Sequence, residues 1–243
     1  MPATVHIGTS GWHYKHWIGP FYPEKLPASK MLEFYTRHFD TVELNNTFYR
    51  LPVESGLTVW RESTPKGFCF AAKGSRFITH MKKLKDPEPA IEKYFERVGQ
   101  LGGKLGPIVF QLPPWWDVDQ DRLAAFLEAL PRRRRYAFEL RNPTWHTPEV
   151  RRILHRRNAA FCIFEIGGFR SGYDLTADFT YVRLHGPGGA YEGSYPPATL
   201  REGADRIRHW QKDLRAVYVY FDNDQAGYAV QNALELKRLV SVA

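Results

Sequence analysis

Cysteine is nearly missing from this sequence, with two residues, Cys69 and Cys162, among 243. Two such distant thiols give neither a metal-ligand spacing nor a disulfide framework. Both sit in β-rich runs, where a free thiol behaves as a small hydrophobe. Inert buried thiols are therefore expected. Long apolar runs are missing too. Nothing approaches the roughly 20 apolar residues of a membrane-spanning helix. No charged n-region followed by an apolar h-region opens the chain. A cytoplasmic protein without membrane contact is the expectation. The phosphate-binding P-loop, the dinucleotide glycine fingerprint, the HExxH zinc helix and the nucleophile elbow are all absent. No organic cofactor motif is seen, and nothing names an oligomeric partner.

Negative charge is also in deficit. The chain has 26 acidic against 34 basic residues, a formal net charge of +8. Such an excess favours anionic partners, whether a small molecule or nucleic acid. Much of it lies in Arg132–Arg135 and in Arg151, Arg152, Arg156 and Arg157. These flank or lie on expected helices, and solvated faces are their plain reading.

What is present is a recurring unit: a short β-rich run, a polar ending, a loop, then an amphipathic segment. Strands are expected near Thr4–Gly8, Thr41–Asn45, Phe68–Lys73, Ile108–Leu112, Tyr136–Leu140, Phe161–Glu165, Thr180–Leu184 and Val217–Phe221. Strands alternating with helices imply βαβ units and a parallel sheet. Eight units in a chain near the roughly 250 residues typical of the fold predict one (β/α)8 TIM barrel over residues 1–243. Asp119 is positioned to cap a helix with Leu123, Phe126, Leu127 and Leu130 on one face. Thr147-Pro148 and Asp86-Pro87 open two more helices, and Gly102-Gly103 closes one. The sixth unit is irregular, because Gly167–Asp178 has glycines and little periodicity.

Alternate strand residues point to opposite faces. Val42, Phe70, Phe138, Val182 and Val219 then face the helices. Glu43, Lys73, Glu139, Arg141, Glu165, Arg183 and His185 face inward at the carboxyl ends, with Ser10, Asn45, Gln111 and Asp222 nearby. A purely structural barrel interior favours Val, Ile and Leu. Buried charge is costly unless paired, so this cluster marks either a site or a closed salt-bridge network.

At the same strand endings the sequence resembles the DUF72 (YecE-like) family. The resemblance rests on Ile7-Gly8-Thr9-Ser10-Gly11-Trp12, Glu43-Leu44-Asn45-Asn46-Thr47-Phe48-Tyr49, Phe138-Glu139-Leu140-Arg141, Tyr181-Val182-Arg183-Leu184-His185-Gly186 and Phe221-Asp222-Asn223-Asp224. It runs from about Val5 to about Leu239. It implies a TIM barrel, likened to the endonuclease-IV type, and leaves function undefined.

Three functions are weighed. The first is binding, with hydrolysis as its enzymatic form, of a phosphate-bearing substrate, nucleic acid foremost. Lys73, Arg141 and Arg183 suit phosphate oxygens. Glu43, Glu139 and His185 are the acid–base candidates. Ser10, Trp12, Asn45, Gln111, Asn223 and Asp224 complete the expected substrate-binding set. Trp12, Trp17, Phe48, Tyr49, Trp115, Trp116 and Trp145 crowd the loops, where bases can stack. Lys82, Lys83 and Lys85 offer an anion path or plain solvated charge. Gly186-Pro187-Gly188-Gly189 follows the seventh strand, where such barrels often hold phosphate. The second function is a glycosidase using the pair Glu43 and Glu139. The third is a barrel that binds an anion or partner without chemistry. His6, His13, His16 and His80 lie away from the strand ends, so a zinc centre is disfavoured. Glu43, Glu139, Glu165 and Asp222 leave a magnesium or manganese site open.

Overall fold

The computed structural model describes residues 3–242 and shows a nearly closed barrel. Its strands are β1 (Thr4–Thr9), β2 (Thr41–Leu44), β3 (Cys69–Lys73), β4 (Leu105–Leu112), β5 (Tyr136–Leu140) and β6 (Ala160–Ile166). A two-residue β7 (Phe169–Arg170), then β8 (Phe179–Leu184) and β9 (Ala216–Phe221), complete them. The order around the barrel is β1-β9-β8-β6-β5-β4-β3-β2, all parallel, with β7 folded antiparallel on β6. β1 and β2 close the ring through one bridge, Ser10 with Glu43. There the Gly11 N–H donates to the Glu43 carbonyl at 2.9 Å.

The helices are α1 (Met31–Tyr35), α2 (Asn46–Tyr49), α3 (Glu54–Glu62), α4 (Glu88–Val98), α5 (Gln120–Ala129), α6 (Pro148–Arg156), α7 (Pro197–Asp213) and α8 (Tyr228–Ser241). No helix among the described residues is long and apolar enough to cross a membrane. The Asp119 carboxylate caps α5 by accepting from the Arg122 N–H at 3.0 Å. Thr147 caps α6 through the Val150 N–H. Leu123, Phe126 and Leu127 are buried against the barrel, as are Val150, Ile153 and Leu154. Asp86 does not cap α4: the helix begins at Glu88 without a side-chain cap, and the Asp86 carboxylate accepts from Lys82 instead. The sixth unit has no helix. β7 and an extended segment cover that sector, leaving an apolar cavity of about 90 Å³ between α7 and the outer faces of β6 and β8.

The inward faces stack in layers. Ala71, Val109, Ala137, Ala160, Cys162 and Ala216 leave room for Phe164, Phe179, Tyr181, Tyr218 and Tyr220. This plug of small and aromatic side chains fills the middle and amino end of the barrel. Burial pushes the Cys162 thiol well above its ordinary range and the Cys69 thiol up to about 12, so both are inert at neutral pH. The ionic layer lies above, at the carboxyl ends.

Candidate functional site: an ion-pair hub at the barrel mouth

Arg183 is the centre of the cluster and is fully buried. Its Nε donates to Glu43 Oε2 at 3.0 Å and its Nη2 to Glu43 Oε1 at 2.7 Å. Nη2 also donates to Asp222 Oδ2 at 3.1 Å, and Nη1 to Glu139 Oε2 at 2.5 Å. His185 Nε2 lies 3.3 Å from Nη1. Four of its five N–H groups thus meet carboxylate oxygens, and the fifth faces the His185 ring. Arg183 holds the wall of the site together.

Glu43 is equally committed. It accepts from Ser10 Oγ at 2.5 Å and from Tyr181 Oη at 2.6 Å, besides Arg183. Glu139 accepts from Arg141 Nε at 2.5 Å. Burial raises the Glu139 acid, but the Arg141 and Arg183 charges outweigh it and hold it well below the usual carboxylate range. Asp222 also sits low: burial raises it, while the His185 contact and Arg183 more than compensate. His185 Nδ1 is 3.0 Å from Asp222 Oδ2, although badly aligned for a hydrogen bond. Three carboxylates therefore face Arg183 and Arg141, with the Lys73 ammonium nearby but in no ion pair. Arg141 keeps the more freedom of the two guanidiniums, with its side chain 13% exposed. Gln111 is buried on the same inward face of β4. Asn45 stands at the edge, weakly bonded to Arg183 and Asp222. A cleft of about 260 Å³ opens there, lined by Trp12, Tyr14, Asn45, Asn46 and Trp60.

Three expected residues lie elsewhere. Glu165 faces outward and pairs with Arg170 at 3.0 Å, because Cys162 and Phe164 take the inward positions of β6. Asn223 does not reach the cluster. Its Nδ2 donates to the Gly193 carbonyl and to Asn232 Oδ1, which ties the loop after β8 to α8. Asp224 neither joins the cluster nor caps α8. It accepts from Trp17 Nε1 at 2.6 Å and lies 3.0 Å from His16 Nε2. Burial lifts its acid to about 6 against the opposing Trp17 and His16 interactions.

The aromatic set also divides. Trp17, Trp145, Trp116, Phe48 and Trp12 are buried, and only Tyr49 and Trp115 of that set are exposed. The structure adds Phe77, Met81 and Tyr191 as exposed groups on the same face. It also brings in His80, on the π-turn Phe77–Met81 after β3. Its ring packs edge-on to Phe48, and Lys73 Nζ sits 4.3 Å from the centre of that same Phe48 ring. Among the described residues, no three His, Cys, Asp or Glu side chains converge as metal ligands. Glu43, Glu139 and Asp222 turn their oxygens to Arg183, and Glu165 faces away.

These features define a parallel (β/α)8 barrel whose carboxyl face carries a buried, arginine-centred ion-pair cluster. The family model described as "Protein of unknown function DUF72" matches residues 6–243, and the chain belongs to that family. The UPF0759 protein YunF of Bacillus subtilis is 25% identical, over 98% of this chain and 95% of the relative. The UPF0759 protein YecE of Escherichia coli K12 is 30% identical over 63% of this chain and 56% of its own length. The crystal structure of a DUF72 family protein from Thermotoga maritima superposes with a TM-score of 0.90 at 26% identity, covering 98% of this chain and 99% of that one.

Proposed function

We propose that the carboxyl face binds a phosphate-bearing anion, with single-stranded nucleic acid the form that suits its rim. The observation that carries this reading is the composition of the loops around the mouth. Exposed Tyr49 and Phe77 adjoin Arg50 and Arg76 in the loops after β2 and β3, which also carry Lys82, Lys83 and Lys85, and exposed Trp115 and Tyr191 stand on the loops after β4 and β8. Lys83 Nζ already rests 4.5 Å from the Trp115 ring centre. Aromatic faces interleaved with cations hold bases by stacking and the backbone by charge. The cluster beneath is neutralised, so its carboxylates do not repel an anion brought to the rim.

The rim supports binding. A glycosidase fits the site poorly. Such an enzyme needs one carboxyl group protonated as general acid, whereas Glu139 is held ionised and both glutamates are bonded to Arg183.

The test is fluorescence anisotropy of single-stranded and duplex oligonucleotides across a salt series. Lys83→Glu should weaken binding and flatten the salt dependence by about 0.7 in log–log slope for each phosphate left without its cation. Trp115→Ala should cost roughly 1–3 kcal/mol if a base stacks there. Wild-type protein that binds neither oligonucleotide at low salt would refute the reading.

A further inference from the structure

Lys73 stands apart from the other charges in the cluster. It is 7% exposed, at the carboxyl end of β3. The carboxylates around it are bonded to Arg183 and Arg141, and none makes an ion pair with it. Its ammonium has the Phe48 ring face for a neighbour, 4.3 Å from the ring centre, and among the described residues Nζ donates no hydrogen bond to protein. Its carbonyl is fixed by Thr47 Oγ1 at 2.6 Å and Tyr94 Oη at 3.1 Å, so the strand end carrying it is held. A structural ammonium in such a place would be paired. A buried amine at a strand's carboxyl end, without an ion-pair partner among the described residues, is instead the arrangement of a nucleophilic lysine.

We propose that Lys73 forms an imine with an aldehyde or ketone that carries an anionic group, the anion resting on Arg141. This goes beyond anion binding and does not depend on nucleic acid being the ligand. The neutral Nζ lone pair attacks the carbonyl carbon, forming the C–N bond. The π pair moves to oxygen, which takes a proton, and Nζ gives one up, leaving a carbinolamine. Its hydroxyl then leaves with a proton as water, and the C=N bond forms. Amine and carbonyl become imine and water, with no oxidant or reductant.

The surroundings favour each step. Burial, helped by the Arg183 charge, moves the Lys73 ammonium from 10.5 to about 8, against the pull of Glu139, Asp222 and Glu43. That raises the neutral fraction near pH 7 by roughly 300-fold over a free lysine. His80 rests against the same Phe48 ring, with Nδ1 beside Thr79 Oγ1 at 2.9 Å and, among the described residues, no partner on Nε2. Burial and then the Lys73, Arg76 and Arg141 charges press it down to about 4. It is therefore neutral at physiological pH and adds no second positive charge beside the Phe48 ring that Lys73 faces.

The test incubates the full chain with pyruvate or glyceraldehyde 3-phosphate, reduces with borohydride, and maps adducts by peptide mass spectrometry. The expected result is an adduct concentrated on the Lys73 peptide with at least one probe. Preference between the probes tells a carboxylate ligand from a phosphate one. In Lys73→Arg that adduct should fall by about tenfold or more, since a guanidinium stays protonated. Labelling spread over exposed lysines with Lys73 unmodified overturns the proposal, and wild-type mapping decides this even if the variant fails to fold. Oligonucleotide anisotropy on the same wild-type protein keeps the two readings separate. Binding without an adduct removes the imine alone, and an adduct without binding removes the nucleic-acid reading alone.

Discussion

Replacing Arg183 by methionine keeps most of the side-chain stem and deletes the charge. Three buried carboxylates, Glu43, Glu139 and Asp222, then lose their common partner. Removing one member of a buried ion pair costs about 3–5 kcal/mol. For a chain of this size, that corresponds to a fall in Tm of roughly 6–20 °C. The pH dependence is the sharper part. In the wild type, Glu139 and Asp222 are held below their ordinary values. Their stabilisation is present above the unfolded-state pKa and fades as pH falls through the folded value. In Arg183→Met, the burial that both acids already experience loses one of its opponents, while Arg141 still acts on Glu139 and the His185 contact on Asp222. Their folded values rise, so the penalty is small in acid and grows as pH rises. The stability gap between wild type and variant should be widest near pH 8 and narrow toward about pH 4. Urea unfolding midpoints across that range measure it. An unchanged midpoint, or a gap that does not vary with pH, would refute the account of Arg183 as the hub. Tyr181→Phe offers a milder check, since it removes one donor to Glu43 and should cost about 1 kcal/mol.

Two further predictions concern the edges of the site. Gly8→Ala places a methyl 2.5 Å from the Thr41 carbonyl, where β1 meets β2. It should destabilise the barrel by about 1–3 kcal/mol and speed hydrogen exchange at the Gly11 amide. Asp224 carries a raised acid, so the stability it contributes is present below its ordinary value of 3.8 and lost as pH rises through about 6. The indole N–H resonance of Trp17, which donates to Asp224, should titrate in that range in the wild type and stay still in Asp224→Asn.

The inward face is legible in the sequence wherever polar and apolar residues alternate. In β8, Arg183 and Tyr181 separate cleanly from Val182 and Leu184, and β2, β3, β5 and β9 behave likewise. β6 reads Ala-Phe-Cys-Ile-Phe-Glu-Ile, and a run apolar on both faces does not reveal its parity. The inward placement expected of Glu165 fails for that reason. Asp224 is drawn away by Trp17, a partner 207 positions earlier in the chain. His80 reads as an exposed loop residue because nothing local announces a π-turn that turns its ring to Phe48. The buried loop tryptophans follow from the same limit. Composition shows that aromatics are present in loops, while only tertiary packing decides which ones meet each other, as Trp116 and Trp145 do.

The hub draws its acids from β2, β5 and the end of β9, and its base from β8. A fragment ending after β5 would contain Glu43 and Glu139 with no Arg183 to receive them. The complementary fragment would hold Arg183 with only Asp222. Neither half of the barrel is electrically complete, so neither is expected to fold when made alone. Mixed together, the two halves should recover structure only as a complex. During synthesis the hub can form only once Asp222, just past β9, has left the ribosome.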